Sequence, residues 1–181
     1  MSRINSPEDL KALQKRIQNR RKKWKTTLTI CGGTGCQASR SPEVLAAVVM
    51  ELAEQGLEKE VRVRRTGCHG FCEQGPIMVV DPQNIFYCHV RPDDVSEIVR
   101  ETVKKGKVVR RLLYTDPISG KKIKTEAELP FYRLQNRRLL SLNRQVDPCN
   151  IEDYIAIGGY SALAKTITGT DPEKVIEEIK A

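Results

Sequence analysis

No apolar run in this 181-residue chain approaches the ~20 residues needed to span a bilayer. The N-terminus MSRINSPEDLKALQKRIQNRRKKWK carries no apolar core of the kind a secretory signal requires. The expected setting is therefore cytoplasmic, without membrane insertion, where thiols stay reduced. Aromatic residues are scarce: one Trp, five Tyr and three Phe. Only Trp24 lies within a basic run, so a base-stacking platform for nucleic acid is not expected despite the net charge of +8. That charge sits in RIQNRRKKWK, VKKGKVVRR and GKKIK, which read as solvated faces or as a surface for an acidic protein partner. No Cys-x-x-Cys pair occurs, which removes the usual thiol oxidoreductase signature. Histidine is nearly absent as well; His69 and His89 each directly follow a cysteine.

The patterns that are present begin with a helix over residues 6–23. Ser6 can cap it, Pro7 suits the first turn, and Leu10, Leu13 and Ile17 make an apolar stripe too narrow to fold alone. TTLTI then predicts a strand ending at Cys31. Ser41-Pro42-Glu43 opens a helix with Val44, Leu45, Val48 and Leu52 on one face, ended by Gly56. EVRVRRT predicts a strand running into Gly67-Cys68. PIMVVD and NIFYCHV read as a hairpin through residues 81–84, and a helix follows from Pro92 to Gly106. The order is β-α-β-β-β-α: an α/β unit with a four-stranded sheet and two helices. Beyond residue 110 come a polar connector, one or two helices, and a last helix starting at Thr170 or Asp171.

Four of the six cysteines form two clusters, Cys31-x4-Cys36 and Cys68-x3-Cys72, separated by 31 residues. That separation fits one helix-and-strand unit, which would bring both pairs to one end of the sheet. Structural zinc favours short loops, most often two residues between ligands. An iron–sulfur cluster is larger, and its sulfurs take hydrogen bonds from nearby amides. Gly32, Gly33, Gly35, Gly67 and Gly70 would let main chain approach closely enough. The residues themselves favour a four-thiolate iron–sulfur cluster, with structural zinc in a protein-interaction module and disulfides as the alternatives. A Rieske centre needs two histidine ligands, and neither histidine is placed for it.

CGGTGC after a strand, then TGCHGFCEQGP and IMVVD, resembles the thioredoxin-like [2Fe-2S] ferredoxins over about residues 25–110. The resemblance implies one [2Fe-2S] cluster on Cys31, Cys36, Cys68 and Cys72, and one-electron transfer without substrate chemistry. A second stretch, LPFYRLQNRRLLSLNRQVDPCNIEDYIAIGGYSALAKTI with DPEKVIEEIK, is similar to the lead-in segment of NADH-binding flavoprotein subunits. These include the flavin subunit of complex I and the beta subunits of NAD-linked, also electron-bifurcating, iron-only hydrogenases and formate dehydrogenases. The family often has Asn-Cys-Gly where this chain has Asn143-Arg144-Gln145.

The implied organisation is a basic N-terminal helix (residues 1–24), the [2Fe-2S] domain (25–110), and a connector with helices leading into a truncated flavoprotein domain (111–181). FMN, NAD and a [4Fe-4S] cluster are then expected only in sequence beyond residue 181, and the expected partners are other subunits of a redox complex. Whether the chain is itself an enzyme stays open; alone it reads as a non-catalytic carrier. Among the remaining residues, Cys88 is expected in the core with Phe86 and Val90 on one strand face. Cys149 is expected to be structural or exposed at a helix start, and His69 and His89 are expected to be solvated loop residues.

Overall fold

The structure, a computed structural model, describes residues 3–169 and 171–181. By packing, the chain divides into two compact units: Lys23–Pro148, and Met1–Lys22 together with Cys149–Ala181. Residues 111–148 thus pack with the sheet, and the first helix packs with the last quarter of the chain. Neither grouping is visible in chain order.

In the larger unit a four-stranded sheet has the order β2-β1-β3-β4, built from β1 (Thr26–Cys31), β2 (Val61–Thr66), β3 (Met78–Asp81) and β4 (Ile85–Tyr87). β1 and β2 run parallel, with Thr26 opposite Val61 and Cys31 opposite Thr66. β3 is antiparallel to β1, and β4 to β3. Parallel neighbours need a crossover, here supplied by the helix Ser41–Glu54. Its Val44, Val48 and Leu52 pack with Leu28, Ile30, Met78 and Val80 of the sheet. Arg40, at φ 72°, precedes this helix in the left-handed region. Ser41 opens the helix, as expected, and is buried.

The helix expected from Pro92 is a 3-10 turn (Pro92–Asp94), one α turn (Val95–Glu97) and a π-helical run (Ile98–Val103). Tyr87 Oη lies 2.7 Å from Thr102 Oγ1 and accepts the Val109 N–H, tying that run to β4. The connector is more ordered than its polarity suggests. Cys88 N–H donates to Leu112 O and Phe86 N–H to Lys124 O, both at 2.8 Å. A small hairpin, Tyr114–Thr115 with Lys122–Ile123, lies between those two contacts. The free edge of β4 is thereby covered, as exposed sheet edges require.

The smaller unit gives the N-terminal stripe its partners. Helix Pro7–Arg21, capped by Ser6 Oγ accepting from Asp9 N–H at 3.1 Å, buries Leu10, Leu13 and Ile17 against Ile155 and Ala156. Each such burial contributes roughly 1.5–3 kcal/mol. Gln18 donates to Ala156 O at 2.8 Å, while Arg20 pairs with Glu152 and Arg21 with the fully buried Asp153. Part of the basic run is therefore an internal staple rather than a solvated face. Helices Ile151–Ala156, Ser161–Gly169 and Pro172–Lys180 complete the unit. Asp171 caps the last helix; the alternative start at Thr170 lies outside the described residues. No helix among the described residues is long and apolar enough to cross a membrane.

Candidate metal centre

The parallel pairing of β1 and β2 decides where the cysteines go. Cys31 ends β1 and Thr66 ends β2 directly opposite it, so the loops that follow leave the same end of the sheet side by side. The first loop winds into a short helix, Thr34–Ala38, that points Cys36 back into the interior. The second carries Cys68 and turns through Cys72–Gln74. Among the described residues no disulfide joins any of the six cysteines. Cys31 and Cys36 are buried, Cys68 is half-buried and Cys72 is exposed.

The four thiols are neighbours. Cys36 and Cys68 both act on the Cys31 thiol, and Cys68 Sγ lies 3.8 Å from Cys72 Sγ. Two sulfurs on one tetrahedral metal, each about 2.3 Å from it, have about that separation. The set is open: among the described residues, no three His, Cys, Asp or Glu side chains close around one point to hold a single ion.

Main-chain N–H groups surround the sulfurs. Those of His69 and Gly33 point at Cys31, that of Ile77 at Cys36, and Gly70 N–H donates to Cys68 Sγ at 3.2 Å. The contact with Cys36, helped by the N–H donors, outweighs burial and brings the Cys31 thiol down to about 6. Sharing that contact, together with burial, pushes Cys36 up. Burial raises Cys68 against the pull of the Gly70 N–H.

The glycines make room. A Cβ on Gly33 would stand 2.8 Å from Cys68 Cβ and 3.0 Å from its Sγ. One on Gly75, which sequence reasoning did not single out, would stand 2.7 Å from Cys36 Sγ. Gly70 has open space around it, but its φ of +88° is one that side chains resist. A thiol set lined by amides and kept clear of Cβ atoms fits an iron–sulfur cluster.

Several expectations change. His69 is buried, not solvated: its Nε2 lies 2.9 Å from Thr66 Oγ1, and burial pulls its pKa down to about 4. His89 is exposed as expected, but its φ of 50° breaks the strand alternation. Cys88 is in the core with Phe86, whereas Val90 belongs to the cluster on the other side of the sheet. Burial pushes the Cys88 thiol up to about 12. Cys149 is exposed and precedes Asn150, the residue that caps helix Ile151–Ala156.

Two residues around the site had no role assigned to them from the sequence. Tyr132 Oη donates to His69 O at 2.9 Å, and Asn143 Nδ2 donates to Cys68 O at 3.2 Å. Neither has a local sequence signal, because each acts across more than sixty residues.

The thioredoxin-like [2Fe-2S] ferredoxin family matches residues 16–103. A 2Fe-2S ferredoxin of Clostridium pasteurianum is 44% identical over 77 residues, covering 42% of this chain and 76% of that protein. A 2Fe-2S ferredoxin of Aquifex aeolicus is 35% identical over 79 residues, covering 43% and 71%. The crystal structure at 1.5 Å of the wild-type thioredoxin-like [2Fe-2S] ferredoxin of Aquifex aeolicus is 30% identical, with a TM-score of 0.46, over 50% of this chain and 97% of that one. With four thiols at one end of a mixed four-stranded sheet, and two relatives matched over most of their length, this chain belongs to the thioredoxin-like [2Fe-2S] ferredoxin family.

Proposed function

We propose that this chain carries single electrons through a [2Fe-2S] cluster held by Cys31, Cys36, Cys68 and Cys72. The observation that carries the reading is the meeting of two distant thiol pairs beyond the ends of β1 and β2, inside a ring of N–H donors. The cluster, when bound, supplies a one-electron couple; the protein's share is to hold it and set its energy. The thiolates bind the irons. The amides of Gly33, His69, Gly70 and Ile77 stabilise negative charge on sulfur, which favours the reduced state. The exposed Cys72 places the second loop where an electron partner can approach, while the buried Cys31 and Cys36 keep the other side away from water.

Iron, zinc and acid-labile sulfide are measured on anaerobically purified protein, with EPR before and after dithionite. Two irons and two sulfides per chain are expected, silent when oxidised and giving a spin-one-half signal when reduced. Zinc in their place, with no signal in either state, would sink the reading and leave a structural module.

The likeness of residues 129–180 to the lead-in of NADH-binding flavoproteins supports a finer reading. Here the chain is the N-terminal part of such a subunit in a cytoplasmic hydrogenase or formate dehydrogenase complex. FMN, NAD and [4Fe-4S] would then be bound outside these 181 residues, and the partners would be the other redox subunits. NADH added to this chain alone should leave the cluster oxidised; direct reduction by NADH would overturn that assignment.

A further inference from the structure

Two consecutive peptide groups in the second cysteine loop are each gripped at both ends. In the peptide joining Cys68 to His69, the N–H points at Cys31 Sγ and the carbonyl accepts from Asn143 Nδ2 at 3.2 Å. In the next, joining His69 to Gly70, the N–H donates to Cys68 Sγ at 3.2 Å and the carbonyl accepts from Tyr132 Oη at 2.9 Å. Both side-chain donors lie outside the stretch matched to the ferredoxin family, which ends at residue 103.

The segment that presents them is itself anchored. Phe131 stacks on Phe71 with centroids 4.1 Å apart and planes 6° from parallel. The Tyr132 ring meets Phe71 and Phe86 edge-on. Buried Glu126 holds Arg137 at 2.6 Å and Arg144 at 3.1 Å, and Arg144 reaches on to Asp81 at 2.6 Å. Asn143 also packs on Gly67, where a Cβ would stand 3.3 Å from Nδ2.

We propose that residues 125–145 form a clasp on the cysteine loop, in which Asn143 and Tyr132 are positioning residues that aim two peptide N–H groups at the cluster sulfurs and raise the cluster's reduction potential. A donor on a carbonyl polarises the whole peptide, so the N–H at its other end becomes a stronger donor. Hydrogen bonds to cluster sulfurs are among the factors that set the potential. Reduction adds negative charge, which those N–H groups stabilise; weakening them disfavours the reduced form. Neither side chain touches a sulfur, so both act only through the peptides they hold.

This proposal rests on the four-cysteine cluster reading, and the test separates the two. The midpoint potential is measured by EPR-monitored titration for wild type, Tyr132→Phe, Asn143→Leu, the double variant and Arg133→Ala, with iron and sulfide counted for each. Tyr132→Phe keeps the ring and its stacking and removes only the hydroxyl. Tyr132→Phe and Asn143→Leu should each shift the potential downward. The double variant should weaken reduction about tenfold, a shift of ~59 mV for one electron. Arg133→Ala, on the same segment but exposed, should leave it unchanged. Loss of iron from a variant that melts as wild type also supports the clasp, because the loop then no longer holds its thiolates. Full iron with an unmoved potential in both single variants overturns it. A wild type without iron and sulfide overturns the cluster reading instead.

Discussion

In the loop carrying Cys31 and Cys36 both thiols are buried, whereas in the loop carrying Cys68 and Cys72 they are half-buried and exposed, and two carbonyls are held by residues far along the chain. In the first, the constraint is space: a five-residue helix brings Cys36 inward and glycines keep Cβ atoms off neighbouring sulfurs. In the second, the constraint is hydrogen bonding, supplied by residues sixty to seventy-five positions away in sequence. A site can be fixed by excluding atoms or by gripping peptides, and the two devices should fail differently.

The largest expected effect comes from filling the crowded loop. Gly33→Ala puts a methyl 2.8 Å from Cys68 Cβ, and the purified protein should carry little or no iron. Full iron and sulfide content would show that the close approach is not needed. Next is the anchor of the gripping segment. Glu126→Gln removes the charge shared by Arg137 and Arg144 and should cost about 1–3 kcal/mol in urea unfolding.

The same residue predicts a pH limb. Burial alone would raise the Glu126 carboxyl, but the two guanidinium groups outweigh it and hold it below its ordinary value. The folded state therefore releases this proton more readily than the unfolded state does. The stability it contributes is present above the ordinary carboxylate value and is lost as pH falls from there through the lowered native value. Melting temperatures between pH 7 and pH 3 should fall less steeply in Glu126→Gln; identical slopes would remove Glu126 from the account.

A smaller effect is expected at Gly70, where strain replaces crowding. A methyl there meets nothing, but φ is +88°. Gly70→Ala should cost roughly 1–2 kcal/mol while keeping its iron. The contrast with Gly33→Ala is the sharpest check on the distinction between the loops. Smallest is a calibration with the two cysteines outside both loops. Exposed Cys149 should alkylate readily at pH 8, while Cys88, buried and pushed up to about 12, should stay unreacted until the fold opens.

The four cysteines, the sheet and the crossover helix were legible because each rests on local pattern: β-branched runs, apolar residues at helical spacing, and glycines beside thiols. The helix Thr34–Ala38 was not legible, since Gly33 leaves it without a side-chain cap and it is too short for a period. Val90 was misplaced because one residue, His89 at φ 50°, flips the alternation. His69 looked solvated in a loop between two cysteines, but Thr66 and the protein around it take it out of water. The grip of Tyr132 and Asn143 left no trace in their own surroundings. Asn143-Arg144-Gln145 stood out only as a departure from a family pattern, yet Asn143 holds the Cys68 carbonyl and Arg144 ties Glu126 to Asp81.

One consequence concerns the order in which the chain is made. The helix Pro7–Arg21 is synthesised before the sheet, yet the residues that cover Leu10, Leu13 and Ile17 arrive at Ile155 and Ala156. On a ribosome, more than 130 residues must emerge before that stripe has anything to lie against. During that interval the strands and the crossover helix are all available while the first helix still waits. Within these 181 residues the N-terminal stripe is made before the sheet, yet its cover arrives after it.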